Sequence, residues 1–455
     1  MPIHSSSPGF MRGFLRLFLP MATQNLFFNL IGLIDMMMIG QMGDVPVAAV
    51  GMAAQFYFLL NLTLFGIASG AAVFAAQYWG GKDLASLRRV LGMCLIGGVS
   101  AALGFSLVAL LAPGWVISLY TQDPAVADQG VAYLHIIGWS YVFTAVTISF
   151  VSMLRATGNT RLPMLVSVGF LCCNVLLNYS LIFGKFGLPE MGIRGAATGT
   201  ALMRTLECLI FLLILYLSRS PVAGSLRELF HIDRQFIGHH VKLIFIIFIN
   251  EFVWALGVNV YNAIIARAGT ATYAAYSVTA SIVGLGLFYT MACAMTSSIL
   301  VGHAIGAGKP EDAYQIGGKI LNISFVGAAL IGLLLIFARV PLLDLYQVSP
   351  EARASATAML LVAGLTMGLR GLDAMFVVGI LRSGGDTRFS ALLDVGSIWL
   401  AGIPALALMV FVLRAPVEWI YFAVVLESLV KGVIGLARFF SRRWIRNITA
   451  SPASA

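Results

Sequence analysis

Charge in this chain is confined to short strips, and between them run apolar stretches of roughly 20 to 30 residues. Each stretch, wound as a helix rising about 1.5 Å per residue, can cross a hydrocarbon core about 30 Å thick. A membrane barrel needs strands that alternate polar and apolar over about ten residues, and these runs do not alternate. Composition bears this out: of 455 residues, 60% are hydrophobic and 10% charged, where soluble domains carry about 25% charged residues. The fold expected is all-α and integral to a membrane. Its twelve transmembrane helices should lie at about 10–40, 46–78, 84–112, 125–157, 160–184, 191–218, 235–268, 271–305, 311–339, 350–382, 386–412 and 416–440.

The first run is too long for a signal-peptide core and lacks a small-residue cleavage site, so it is expected to be the first membrane helix. All five cysteines (Cys94, Cys172, Cys173, Cys208 and Cys293) fall inside apolar runs without metal-site spacing, which suits packing. The net charge of +9 is a topology signal. Arg12, Arg16, Arg88, Arg89, Arg155, Arg161, Arg227, Arg382, Arg388, Arg438 and Arg442 are among eighteen basic residues on the side of both termini. Only Lys185, Arg194, Arg267, Arg339, Arg353 and Arg414 lie opposite. By the positive-inside rule both termini face the cytoplasm, and no nucleic-acid partner is needed to explain the surplus.

The chain also matches itself. At an offset of 227, Leu154–Arg161 (LRATGNTR) aligns with Leu381–Arg388 (LRSGGDTR), five identities in eight, and Gly81-Lys82 aligns with Gly308-Lys309. Six helices per half means that both halves begin on the same side, so the repeat is parallel. The two six-helix lobes are then related by a pseudo-two-fold axis along the membrane normal, a geometry suited to alternating access. The expected division is an N-terminal lobe at 1–218, a cytoplasmic connection at 219–234, a C-terminal lobe at 235–440 and a cytoplasmic tail at 441–455.

A carboxylate at mid-membrane depth costs on the order of 3 kcal/mol on insertion scales, so the intramembrane acids are where function is sought. Glu207 follows Arg204 by three residues, Asp373 follows Arg370 by three, and Glu427 precedes Lys431 by four. Each pair shares a helix face and can neutralise itself. Asp35, Glu251 and Asp394 have no base within a turn. Asp35, among apolar neighbours, can take and release a proton or act as an oxygen ligand for sodium. Glu251 suits a functional or a structural role equally, and Asp394 reads as structural. Asn174 and Asn178 share one face of the fifth helix. Their amides can join a carboxylate in a cation or proton site, or serve as interhelical glue. Thr198 and Thr200 on the sixth helix can add hydroxyls. Pro20 removes a backbone hydrogen bond from the first helix and permits a kink there, either static or coupled to the state of Asp35.

Three stretches together resemble one family. Asn178–Thr200 (NYSLIFGKFGLPEMGIRGAATGT), Leu154–Met164 (LRATGNTRLPM), and Asp35–Gly43 (DMMMIGQMG) followed by Val47–Gly51 (VAAVG) are similar to segments of MATE (multidrug and toxic compound extrusion) transporters. An Asp in the first helix with polar partners on the fifth and sixth looks like the DinF-like branch. The resemblance implies a secondary active transporter, not an enzyme, with a cation-coupling site at Asp35, Asn174 and Asn178, joined by Thr198 or Thr200. The family often places a second acid where Asn178 stands, and a single carboxylate offers sodium less charge. Glu251 and Asp373 resemble acids of the NorM-like branch, which implies a polar site in the second lobe.

The mechanism expected is antiport, with no cofactor and with a proton, or alternatively sodium, as coupling ion. Loading of Asp35 bends the first helix at Pro20 and releases a cationic amphiphilic drug outward. The expected setting is the bacterial plasma (inner) membrane, with the chain working as a monomer. A lipid-linked oligosaccharide flippase would need a cavity rich in Arg and Lys. An embedded enzyme would need a catalytic cluster, whereas His135 and His303 are isolated. A channel would carry a re-entrant filter or a charged ring.

Overall fold

The computed structural model describes residues 9–346 and 348–450; the ends of the expected first lobe and tail, 1–8 and 451–455, lie outside them. Among the described residues twelve helices are long and apolar enough to cross a membrane. They are Phe10–Gly40, Asp44–Gly80, Leu84–Leu111, Pro124–Ala156, Arg161–Phe183, Gly192–Leu217, Arg234–Ala266, Thr270–Gly306, Pro310–Leu343, Pro350–Arg382, Thr387–Val412 and Val417–Phe440, hereafter the first to twelfth spans. The described residues contain no strand, only an isolated bridge between Gly385 and Ile445. The ninth span runs four residues past its expected end at Arg339, through the apolar Val340–Leu343, and the Arg339 guanidinium turns back onto the Ile336 carbonyl at 2.5 Å.

Two compact units are present. One comprises Leu19–Ala75 and Asp83–Phe248; the other comprises Met1–Phe18, Ala76–Lys82 and Ile249–Ala455. In the first, the end of the first span is clamped by Met38 and Ile39, which pack with Ala49, Val50, Ile182, Ile193 and Ala196. That cluster brings the first, fifth and sixth spans together one turn beyond Asp35. In the second, Tyr261, Ile264 and Ile265 of the seventh span pack with Ile398 and Leu406 of the eleventh and with Ile420 and Val424 of the twelfth.

The repeated loop has the same backbone in both units. Asn159 N–H bonds the Leu154 carbonyl at 2.9 Å, and Gly158 N–H bonds that of Arg155 at 2.8 Å. At 227 residues' remove, Asp386 N–H bonds the Leu381 carbonyl at 3.0 Å, and Gly385 N–H bonds that of Arg382 at 3.1 Å. This is the Schellman termination, and it needs a left-handed residue, which Gly158 (φ 85°) and Gly385 (φ 89°) supply. In the second unit the chain after Ser441 closes over this loop. Arg446 N–H bonds the Gly384 carbonyl at 2.7 Å, and Trp444 is fully buried against Phe439. Asp386 accepts from Arg438 at 2.6 Å and pairs with Arg446 at 3.3 Å.

The tenth span ends in π-helical turns over Met375–Arg382, and the eleventh contains two more, Ser397–Gly402 and Leu408–Val412. Such turns rotate the side chains that follow and recur at functional sites. Here the first π-helical turn of the eleventh span begins three residues after Asp394.

Candidate cation-coupling site

Asp35 lies in the last three turns of the first span, half-buried, on a helix that carries Pro20 in its interior. Its Oδ1 accepts from Asn178 Nδ2 at 3.1 Å. Asn178 is 2% exposed, and the same nitrogen points at Asn174 Oδ1 (3.3 Å) and Thr200 Oγ1 (3.3 Å). Asn174 Nδ2 in turn faces Asn178 Oδ1 at 3.4 Å and Thr200 Oγ1 at 3.5 Å. Four side chains from three spans thus share one polar knot. An amide has two N–H groups, and Asn178 spreads them over three acceptors, so the bonds are long and readily exchanged. Gly199 makes the knot fit: a Cβ there would run into Asn178 Oδ1. No sequence pattern marks Gly199, because the requirement is a contact between two spans.

Thr198 is not part of this group. Its hydroxyl donates to the Arg194 carbonyl of its own helix at 2.8 Å. Two positions along a helix face away from each other, so only one of Thr198 and Thr200 can reach Asn178.

Among the described residues Asp35 forms no ion pair. The base that acts on it electrostatically is Arg204, whose field also reaches Glu207 and Tyr133. Arg204 and Glu207 do not pair as their spacing suggested. The guanidinium lies over the Tyr57 ring, 4.0 Å from its centroid, and its Nη1 is buried without a hydrogen-bond partner. Glu207 accepts from Ser167 Oγ at 2.8 Å. A cation over an aromatic face is held more strongly once it is out of water.

The second unit holds its acids differently. Glu251 pairs with Arg382 at 2.8 Å, and Asp394 pairs with Lys431 at 2.8 Å. Both acids lacked a base within a turn, and the structure supplies one from another span. Glu427 pairs with Lys431 at 3.8 Å, as the spacing implied, and accepts from Tyr261 at 2.9 Å. Asp373 does not pair with Arg370; it accepts from Ser428 at 2.6 Å, while Arg370 donates to the Tyr421 hydroxyl at 3.2 Å. Glu251 and Asp373 are therefore bound to different partners, Arg382 and Ser428.

A chain of twelve apolar spans in two helical units, with a carboxylate held by exchangeable amides, has the make-up of a solute transporter. The MatE family profile matches residues 20–180 and 246–408, and the chain belongs to that family. It is a MATE transporter, a secondary active carrier and not an enzyme. It is 25% identical over 413 residues to the uncharacterized transporter YisQ of Bacillus subtilis, covering 90% of each chain. To the probable multidrug resistance protein NorM of Thermotoga maritima it is 23% identical over 448 residues, covering 96% of this chain and 94% of that one. The MATE transporter VcmN of Vibrio cholerae, solved in a bent form, has the same fold at 18% identity. Its TM-score is 0.85, over 95% of this chain and 97% of that one. Relatives and spans together make this a multi-pass bacterial membrane protein.

Proposed function

We propose that this transporter exports cationic amphiphilic drugs in exchange for protons and that Asp35 carries the coupling proton. The observation behind this reading is that Asp35 is half-buried in a neutral shell, with Asn178 as its hydrogen-bond partner and no base against it. A tethered cation would fix its charge; a neutral amide leaves it free to change. Relatives named as multidrug resistance proteins support the drug-export part of the reading. When Asp35 is charged, the Asn178 N–H completes its shell. When a proton arrives that donor is released, and the knot with Asn174 and Thr200 rearranges. Pro20, buried in the same helix, provides the weak point at which the first span bends and the drug leaves. A cationic drug favours the state in which Asp35 is charged, and a carrier is driven only by such differential affinity. The oxygens of Asp35, Asn174, Asn178 and Thr200 also suit sodium as the alternative coupling ion. We place both termini in the cytoplasm on the distribution of basic residues, and the chain, as a monomer, in the inner membrane.

Efflux from proteoliposomes under a pH gradient or a sodium gradient, imposed separately, tests this reading. Drug efflux driven by the pH gradient and lost in Asp35→Asn supports it. Efflux that survives in Asp35→Asn removes Asp35 from the coupling step.

A further inference from the structure

Gln77 is fully buried in the last turn of the second span, and both ends of its amide are engaged. Nε2 donates to the Ser383 carbonyl at 3.2 Å and to the Arg446 carbonyl at 3.2 Å, and Oε1 accepts from the Ile448 N–H at 3.0 Å. One side chain thus ties the second span to the loop after the tenth span and to the chain beyond the twelfth. That chain is held at further points. It reverses at Arg442 (φ 57°), whose guanidinium pairs with Glu311 at 2.7 Å and lies over the Tyr314 ring. Trp444 Nε1 donates to the Phe439 carbonyl at 3.1 Å, and its ring leaves no room for a Cβ at Gly384. A cap on the loop alone would need no bond to the second span.

The second span changes units between Ala75 and Ala76, so that its body belongs to the first unit and its end to the second. A secondary carrier alternates between two access states, and a span shared by two units can follow only one of them as they move. What grips its end therefore bears on which state is held. The repeat carries this grip once. At the offset of 227 the residue matching Gln77 is Ala304 (304 − 77), which has no side-chain amide. The chain beyond the sixth span docks elsewhere, its Pro221 carbonyl accepting from Arg88 Nε of the third span at 3.1 Å.

We propose that residues 441–448 form a latch on the end of the second span, that Gln77 is the residue it grips, and that the transporter reaches its other access state only when the three Gln77 bonds part. The grip is of a kind that can release. A neutral amide exchanges its partners for water without leaving a buried charge behind. Ion pairs hold the rest of the latch, Asp386 with Arg438 and Arg446, and Glu311 with Arg442. The tail therefore keeps its place while the span lets go and returns. The inference rests on the chain being a secondary carrier and is independent of the role given to Asp35.

Hydrogen–deuterium exchange of the purified full chain, wild type against Gln77→Leu, provides the test, because exchange reports how often each segment opens. Leucine is close to glutamine in size and removes all three bonds. In Gln77→Leu, residues 76–82 should exchange faster, and the loops across the membrane, 184–191 and 413–416, should shift in the opposite sense, to slower exchange. A change confined to 76–82 and 441–448 would make the tail a static cap and overturn the proposal. Faster exchange on both sides of the membrane, or no change on either, would overturn it as well. Where Gln77→Leu does not fold, Asp386→Asn is measured instead. It loosens Arg446 while Gln77 stays in place, and the same paired shift is expected at smaller size. A failure of Asp35 coupling would show in efflux and leave these exchange patterns unchanged.

Discussion

Set at an offset of 227, the two units make the same contact with different chemistry. Arg155 donates to Gln24 Oε1 at 2.6 Å, and Arg382 pairs with Glu251 Oε1 at 2.8 Å; 382 − 155 and 251 − 24 both equal 227. The arginine and its geometry are retained while its partner is a neutral amide in one unit and a carboxylate in the other. The acids follow suit. Asp35 is held by the Asn178 amide, whereas Glu251, Asp394 and Glu427 each meet a base from within their own unit. A buried ion pair fixes charge, since removing either partner leaves the other uncompensated. A carboxylate in a neutral shell can change charge at much lower cost. On the function proposed above, the first unit exchanges a cation, while Glu251, Asp394 and Glu427 of the second are held in ion pairs.

The largest expected effect is on transport. Asp35→Asn should reduce drug efflux to that of empty liposomes while leaving the melting temperature nearly unchanged, because an amide oxygen can still accept from Asn178. A large loss of stability in this variant would break the contrast between the units. Next comes Glu251→Gln, which leaves Arg382 buried without its counter-charge and should cost about 3–5 kcal/mol of stability. Gln24→Leu, at the corresponding position, should cost less, about 1.5–3 kcal/mol for a hydrogen bond to a charged group. Equal losses in thermal or denaturant unfolding would show that the two contacts do the same work.

Smaller effects sharpen the first site. Gly199→Ala pushes a methyl group into the amide oxygen of Asn178 and should weaken gradient-driven efflux with the protein still folded. Thr200→Val should act in the same direction, whereas Thr198→Val should leave efflux and melting unchanged, within about 0.5 kcal/mol. Reversed behaviour of the two threonines would mean that the sixth span presents another face to Asn178.

The spans were legible in the sequence because hydropathy is a local property, and the described helices begin and end within two residues of expectation at every terminus but one, the end of the ninth span. Asn174 and Asn178 were legible for the same reason, since a spacing of four fixes a shared face. The pairs of Asp394 and Glu251 were hidden because Lys431 is 37 residues from Asp394 (431 − 394), and Arg382 is 131 from Glu251 (382 − 251). A window of one helical turn sees neither. The local pairings of Arg204 with Glu207 and of Arg370 with Asp373 misled in the opposite way. Spacing allowed them, but Tyr57, Ser167, Tyr421 and Ser428, all contributed by other spans or other turns, offered better partners.

The most direct measurement is the release of protons when a cationic drug is added to the purified transporter in weakly buffered detergent solution, for wild type and Asp35→Asn. Release from wild type and none from Asp35→Asn is the expected result, because the drug and the proton then compete for one carboxylate in the first unit. Undiminished release from Asp35→Asn would contradict it and move the exchangeable proton to the acids of the second unit.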